Sequence, residues 1–333
     1  KQKGYAGDSL DKRLYSGIKF NGKSIRNLTP IQGGMNLKGP GVYLLSNKNF
    51  ARKTDSFYLL RITGKQDAPN TKLTTQLVRA DRSYGAPPNA DQPDSTFFAT
   101  NDARILDGYM ENGQIHFVGN TINFNNNRAT IYHGAVNDLK SSPKIDLTLL
   151  THHYLEFGYP SIVFAGESST ENKALIITNH ASDTVAPGYA GAYFNDGAYS
   201  GLKILKRGES RVDMQRSRTE RWGDYTGLQR RYNKPGEYWA AGYFGYRANQ
   251  FPLFRNGTWI TQLVPTWSTG AEPTQKRKPA IETYPNPTAK TIAVNFKLEQ
   301  HRFLAFELYN TNGQQVTILL ESFVKPGENR FTF

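Results

Sequence analysis

Extended segments recur along this chain at nearly constant spacing, and no local feature constrains the fold as tightly as that repeat. Ser56-Phe-Tyr-Leu-Leu, Gln114-Ile-His-Phe-Val, Lys173-Ala-Leu-Ile-Ile and Glu237-Tyr-Trp-Ala-Ala begin 58, 59 and 64 residues apart. The last three each close a hairpin. Arg104 to Tyr109 turns at Asn112-Gly113, residue types that tolerate the positive φ of a tight turn; Ser161 to Ala165 turns through Glu167 to Asn172, and Tyr225 to Arg230 turns at Asn233 to Gly236. A further extended run follows each, at Ala129 to His133, Gly191 to Phe194 and Thr258 to Leu263, and two units add a fourth at Ile145 to Leu150 and Leu202 to Leu205. A four-stranded antiparallel unit cannot bury both its faces alone, but copies set round an axis pack face to face. The expected fold is therefore all-β: a β-propeller of four-stranded blades with a period of about 60 residues, spanning 1–267. That span holds about four to five blades, fewer than a closed ring usually has, so missing N-terminal blades are expected.

Composition agrees with strands and turns. Thirty Gly, 17 Pro and 13% aromatic residues suit an all-β chain, and no helical periodicity competes with the alternation. No apolar run approaches the roughly 18 residues of a membrane helix. With no cysteine, disulfides, thiolate nucleophiles and thiolate-bound metals are excluded. The net charge of +13 lies upstream of residue 281, and Gly201 to Arg255 alone carries 12 basic and five acidic residues.

A solvated linker is expected over 268–280, where Gly270, Pro273, Lys276, Arg277, Lys278 and Pro279 leave almost nothing apolar to bury. Beyond it, Tyr284-Pro285-Asn286-Pro287 denies the backbone two donors, so regular structure is expected only after Pro287. Ile292, Val294, Phe296 and Leu298 then alternate with small and polar residues. Phe303 to Tyr309 leads into a turn ending at Gly313, Val316, Ile318 and Leu320 share one face, and Pro326-Gly327 turns the chain into Phe331 and Phe333. These runs describe a small antiparallel β-sandwich over 281–333. Phe331 to Phe333 is expected to lack a partner strand, as if the chain stopped short at its C-terminus.

Tyr284, Pro285, Asn286, Pro287, Leu308, Tyr309, Gly313 and Gly327, in that order and context, resemble the type A C-terminal sorting domain of cargo exported by the type IX secretion system of Bacteroidota. That resemblance implies export across the outer membrane to the cell surface or medium. It also implies three partners: the translocon, the outer-membrane barrel shuttle protein, and a sortase that removes the signal or replaces it with a lipopolysaccharide anchor. Upstream, Arg221 to Gly245 resembles a motif of large exported Bacteroidota propellers similar to sialidase-like folds, with Asn101-Asp102-Ala103-Arg104 and Gly158-Tyr159-Pro160-Ser161 at the equivalent blade position.

No complete catalytic motif stands in the sequence. The Ser-x-Asp-x-Gly-x-Thr-Trp box of sialidases is absent, and so are a Gly-x-Ser-x-Gly elbow and a Walker loop. Asp102, Glu156, Asp196 and Asp224 are read as turn residues rather than a glycosidase pair. His152, His153 and Glu156 are the densest ligand set, but neighbours on a strand point to opposite faces, so no metal or other cofactor is expected. Arg221, Trp222, Asp224, Tyr225, Arg230 and Arg231 form the candidate ligand surface. Arginine forks and aromatic faces there suit anionic polysaccharide or lipopolysaccharide, and nucleic acid is not expected as the target of an exported protein. The function expected is therefore adhesion or glycan binding, the alternatives being an exported glycoside hydrolase and a structural part of a secretion or gliding machine. Ser9, Ser95 and Thr184 follow aspartate in patterns that resemble Bacteroidota O-glycosylation sites.

Overall fold

The computed structural model describes residues 14–35, 41–64, 69–215, 217–223, 225–264, 281–285, 288, 290–298, 301–309 and 315–333. Every regular element among them is a β-strand. The chain divides into two compact units, 1–265 and 266–333. The expected linker at 268–280 lies outside the described residues.

In the first unit the repeats form antiparallel meanders. Ile105–Glu111, Gln114–Asn123, Arg128–Asn137 and Lys144–Leu150 pair in succession, turning first at Asn112 (φ 48°) and Gly113 (φ 72°). Glu156–Phe164, Lys173–Ala181, Gly188–Asn195 and Lys203–Lys206 make a second meander, and Gly227–Arg230, Tyr238–Arg247 and Phe254–Leu263 a third. Side chains alternate across each strand, and both faces are buried where meanders stack. Thus Ile115 and Phe117 join one core layer while Val118 joins the next, against Phe157, Ile162 and Phe164. Likewise Ile176 faces back to the first meander, and Leu175 and Ile177 face forward to Leu228, Tyr238 and Ala240.

The repeat containing Ser56 departs from the expected separate blade. Its strands, Val42–Asn47, Thr54–Thr63 and Lys72–Tyr84, join the first meander through a parallel contact of Ala80 with Ile145. The result is one nine-stranded sheet, nearly closed, since the two-residue strands at its ends, Thr29–Pro30 and Gln32–Gly33, are separated only by Ile31. The 13-residue strand Lys72–Tyr84 makes this bridge possible. Phe57, Tyr84, Phe117 and Tyr132 fill the interior with ring centroids 4.5–6.0 Å apart.

Two buried asparagines stitch the sheets together. Asn120 accepts from the Tyr159 N–H (2.7 Å) and donates to the Thr100 carbonyl (2.9 Å). Asn179, 59 residues later, accepts from the Tyr243 N–H (3.2 Å) and donates to the Trp222 carbonyl (3.3 Å). Replacing Asn120 by leucine leaves a buried N–H and a buried carbonyl unmet; the expected loss is about 2 kcal/mol, read from the midpoint of urea unfolding.

The second unit is a three-stranded antiparallel sheet, Ile281–Tyr284, Ala293–Leu298 and Gly327–Thr332, with the hairpin Arg302–Tyr309 and Gln315–Val324. Val294, Phe296 and Val324 centre its core, joined by Phe306, Leu320, Phe331 and Phe333. Three expectations change. A strand precedes Pro287, because the residue before a proline favours extended backbone and Tyr284 can still pair with Ala293. The last strand is paired, Phe331 lying opposite Val294. Val316 and Ile318 are exposed while Leu320 packs inward, because the register slips between Phe306 and Glu307 and places one extra residue, Leu319, in the partner strand. Tyr284 and Leu308 are exposed and Gly327 holds a φ of 113°. Asn286, Pro287 and Gly313 lie outside the described residues, as does the side chain of Tyr309.

Candidate functional site

A small sheet brings distant segments to one rim of the first unit. Thr96–Ala99 pairs in parallel with Thr219–Arg221, and Gln92 clamps the junction, its side chain exchanging both hydrogen bonds with the Val212 backbone (2.9 and 3.0 Å). Residues 101–104 and 221–223 therefore leave the same sheet side by side. Tyr159 joins them from the start of the second meander, where a register shift between Gly158 and Ser161 leaves it at φ 55°, an uncommon conformation for a bulky side chain.

Beneath the rim, Asp102 is fully buried. It accepts from Arg104 Nε (2.8 Å), Arg104 Nη2 (2.7 Å), the Arg104 N–H (2.9 Å) and Asn49 Nδ2 (2.6 Å). Burial works against the carboxylate, but these bonds outweigh it and hold the group below the usual range. The same pairing raises Arg104 further. Nη1 of that guanidinium takes no part in the pair. Tyr159, pushed up to about 12 by burial, stays a neutral phenol and lies within electrostatic reach of Arg221, Tyr225, Asp102 and Arg104. Tyr225 is 65% exposed and meets Tyr159 edge to face at 6.4 Å. Thr226 ties the loop down through its hydroxyl to the Tyr159 carbonyl (2.8 Å).

The rim thus combines two guanidinium groups and one exposed phenol ring, that of Tyr225, backed by the Tyr159 ring, which is buried and donates its hydroxyl to the Ala99 carbonyl (2.9 Å). Arginine planes recognise carboxylate or sulfate by paired hydrogen bonds, and an exposed ring can stack on a sugar face. Of the expected ligand surface, Arg221 and Tyr225 belong to this rim, and Asp224 lies outside the described residues. Trp222 is fully buried, stacked on Phe98 at 5.2 Å and 13°. Arg230, expected on the ligand surface, is 3% exposed; Nη1 donates to the carbonyls of Phe164 (3.1 Å) and Gly166 (2.6 Å), which a shorter side chain could not reach. Arg231 pairs with Glu237 (2.5 Å) at the far end of its hairpin. The expected surface omits Arg104 and Tyr159. Their signal was their place in the repeated motif, Arg104 just ahead of the first meander's first strand and Tyr159 early within that of the second.

The other candidates have structural roles. Glu156 accepts from the N–H groups of Asp91 (2.6 Å) and Ala129 (2.9 Å), and Asp196 occupies a turn with φ 47°. His152 and His153 do not point to opposite faces of a strand, because they precede it; their rings stack at 4.5 Å and His152 Nδ1 accepts from the Tyr154 and Leu155 N–H groups. Among the described residues no group of three metal-ligating side chains converges. Ser95 and Thr184 are exposed in turns; Ser9 lies outside the described residues.

No family model, no curated protein and no solved structure matches the chain.

Proposed function

We propose that this chain is a cell-surface protein whose first unit binds an anionic glycan at the Arg104, Arg221 and Tyr225 rim, with buried Tyr159 supporting the Tyr225 ring from beneath. The single observation behind it is that Arg104 and the distant Arg221 and Tyr225 come within electrostatic reach of the same buried Tyr159 and supply two cations and an exposed ring to one place. A glycoside hydrolase would need a carboxyl able to give up a proton. Asp102 suits that poorly: it is buried, saturated with hydrogen bonds and held ionised by Arg104. The stacked meanders support a propeller-like reading of the repeats, with the Ser56 repeat merged into its neighbour's sheet.

The test is titration calorimetry with polygalacturonate against a neutral galactan. Binding to the acidic polymer only is expected, weakened at least about tenfold by the double change Arg221→Ala and Tyr225→Ala, the equivalent of roughly 1.4 kcal/mol. Equal affinity for both polymers defeats the reading.

The second unit carries the export part of the proposal: it serves as a type IX sorting signal, engaging translocon, shuttle barrel and sortase. Its support is the Tyr284-Pro285-Asn286-Pro287 resemblance and a compact sandwich of its own. A fluorescent protein fused ahead of residues 281 to the native C-terminus is expected at the surface or in the medium of a type IX-competent bacterium. Retention in the periplasm removes the export claim and leaves the glycan claim intact.

A further inference from the structure

Between the first and second meanders the core layer does not close. A pocket of about 320 Å³ remains, walled by Leu150, Phe157, Ile176, Ala192 and Leu202. An apolar cavity of about 150 Å³ takes a benzene ring, so this one accommodates a molecule of roughly two fused rings. Polar side chains complete the lining, among them Thr151, His152 and Thr178 and the pair formed by Tyr199 and Thr148.

Tyr199 is not a casual lining residue. Its hydroxyl lies 2.7 Å from His133 Nδ1, and His133 Nε2 lies 3.0 Å from His116 Nδ1. Both imidazoles are buried, and burial lowers their proton affinity, so each carries one N–H at neutral pH. Such a row has two self-consistent arrangements. With protons running inward from Tyr199, its oxygen can accept, from the neighbouring Thr148 hydroxyl or from a ligand that displaces it; with protons running outward from His116, Tyr199 can donate its O–H instead. Either way the phenol is held in place by buried partners and can answer a donor or an acceptor. A cavity with apolar walls and a few convergent polar groups is the usual form of a small-molecule site.

We infer that this pocket binds a small, mostly apolar molecule bearing one hydroxyl, such as a bicyclic phenol, with that hydroxyl against Tyr199. The site is separate from the glycan rim and its test does not depend on it. The probes are 2-naphthol and 2-methylnaphthalene, alike in shape and different in one polar group, titrated into the full chain and followed by fluorescence and thermal shift. The wild type is expected to bind 2-naphthol about fivefold more tightly, the worth of one neutral hydrogen bond. Tyr199→Phe is expected to erase that preference while leaving 2-methylnaphthalene affinity unchanged. Ala192→Leu, which fills the pocket from one wall, is expected to abolish both. Absence of binding by either probe, or equal binding of both to the wild type, overturns the inference; a preference that survives in Tyr199→Phe overturns the role given to Tyr199.

Discussion

Trp222→Ala is expected to destabilise the first unit by about 3–5 kcal/mol, the largest effect of any single substitution considered. The indole is fully buried and touches three separate parts of the chain: it stacks on Phe98, packs in one cluster with Tyr243, and lies so close to Gly158 that a Cβ there would fall 2.9 Å from its ring. Truncation opens a cavity where the small rim sheet, the second meander and the third meander meet. Trp222→Phe is expected to cost much less, since it keeps a ring against Phe98 and removes an indole N–H that has no partner among the described residues. Urea unfolding of the two variants measures the difference; equal midpoints would mean the ring is not what joins these segments. Because Arg221 and Tyr225 flank Trp222, the alanine variant is also expected to lose glycan binding.

Acid is expected to destabilise the unit well before its carboxylates are neutralised. Burial lowers His116 to about 4 and His180 to about 3, with Arg207 and His152 adding to the effect at His180; burial and then His116 lower His133 well below its ordinary value. In the unfolded chain these groups titrate near 6.5. Below that pH the unfolded state takes up protons that the fold excludes, so stability that is complete above pH 6.5 is lost progressively toward pH 4, by about 3 kcal/mol for His116 alone. Asp107 and Glu156, both raised by burial, act in the opposite sense: what they contribute is present in mild acid and lost as pH rises through their folded values. Three histidines against two carboxylates leave a net fall in Tm between pH 8 and pH 5. His180→Leu isolates the cause, because both ring nitrogens of His180 are buried without partners. That variant is expected to match the wild type or exceed it at pH 8 and to exceed it clearly at pH 5; parallel curves would mean His180 takes up its proton in the fold as readily as in the unfolded chain.

Strands with apolar residues on both faces could be read directly. Gln114–Asn123 and Lys173–Ala181 each serve two core layers, and their hairpin partners announce themselves through turn residues such as Asn112-Gly113. Lys72–Tyr84 could not be read so, because Lys72, Gln76, Arg79, Asp81 and Arg82 interrupt its apolar positions, and its length becomes meaningful only when Ala80 meets Ile145. Which sheet edges join depends on distant contacts that no local pattern encodes. The same division runs through the site. The Arg221 to Gly245 stretch stood out by composition, yet burial decides which of its arginines faces solvent. Arg230 was hidden by two carbonyls on another strand, and Arg104 was overlooked because one charge in a short motif resembles any other until its neighbours are known.

The two stitching asparagines bear on the order in which this molecule can be made. Each closes the backbone of a residue that comes later, Tyr159 for Asn120 and Tyr243 for Asn179. A polypeptide delivered amino end first, by a ribosome or through a pore, meets a waiting acceptor each time a new sheet arrives. Whichever end arrives first, neither stitch closes until both of the sheets it joins are present, so these contacts report the docking of successive sheets rather than the formation of either.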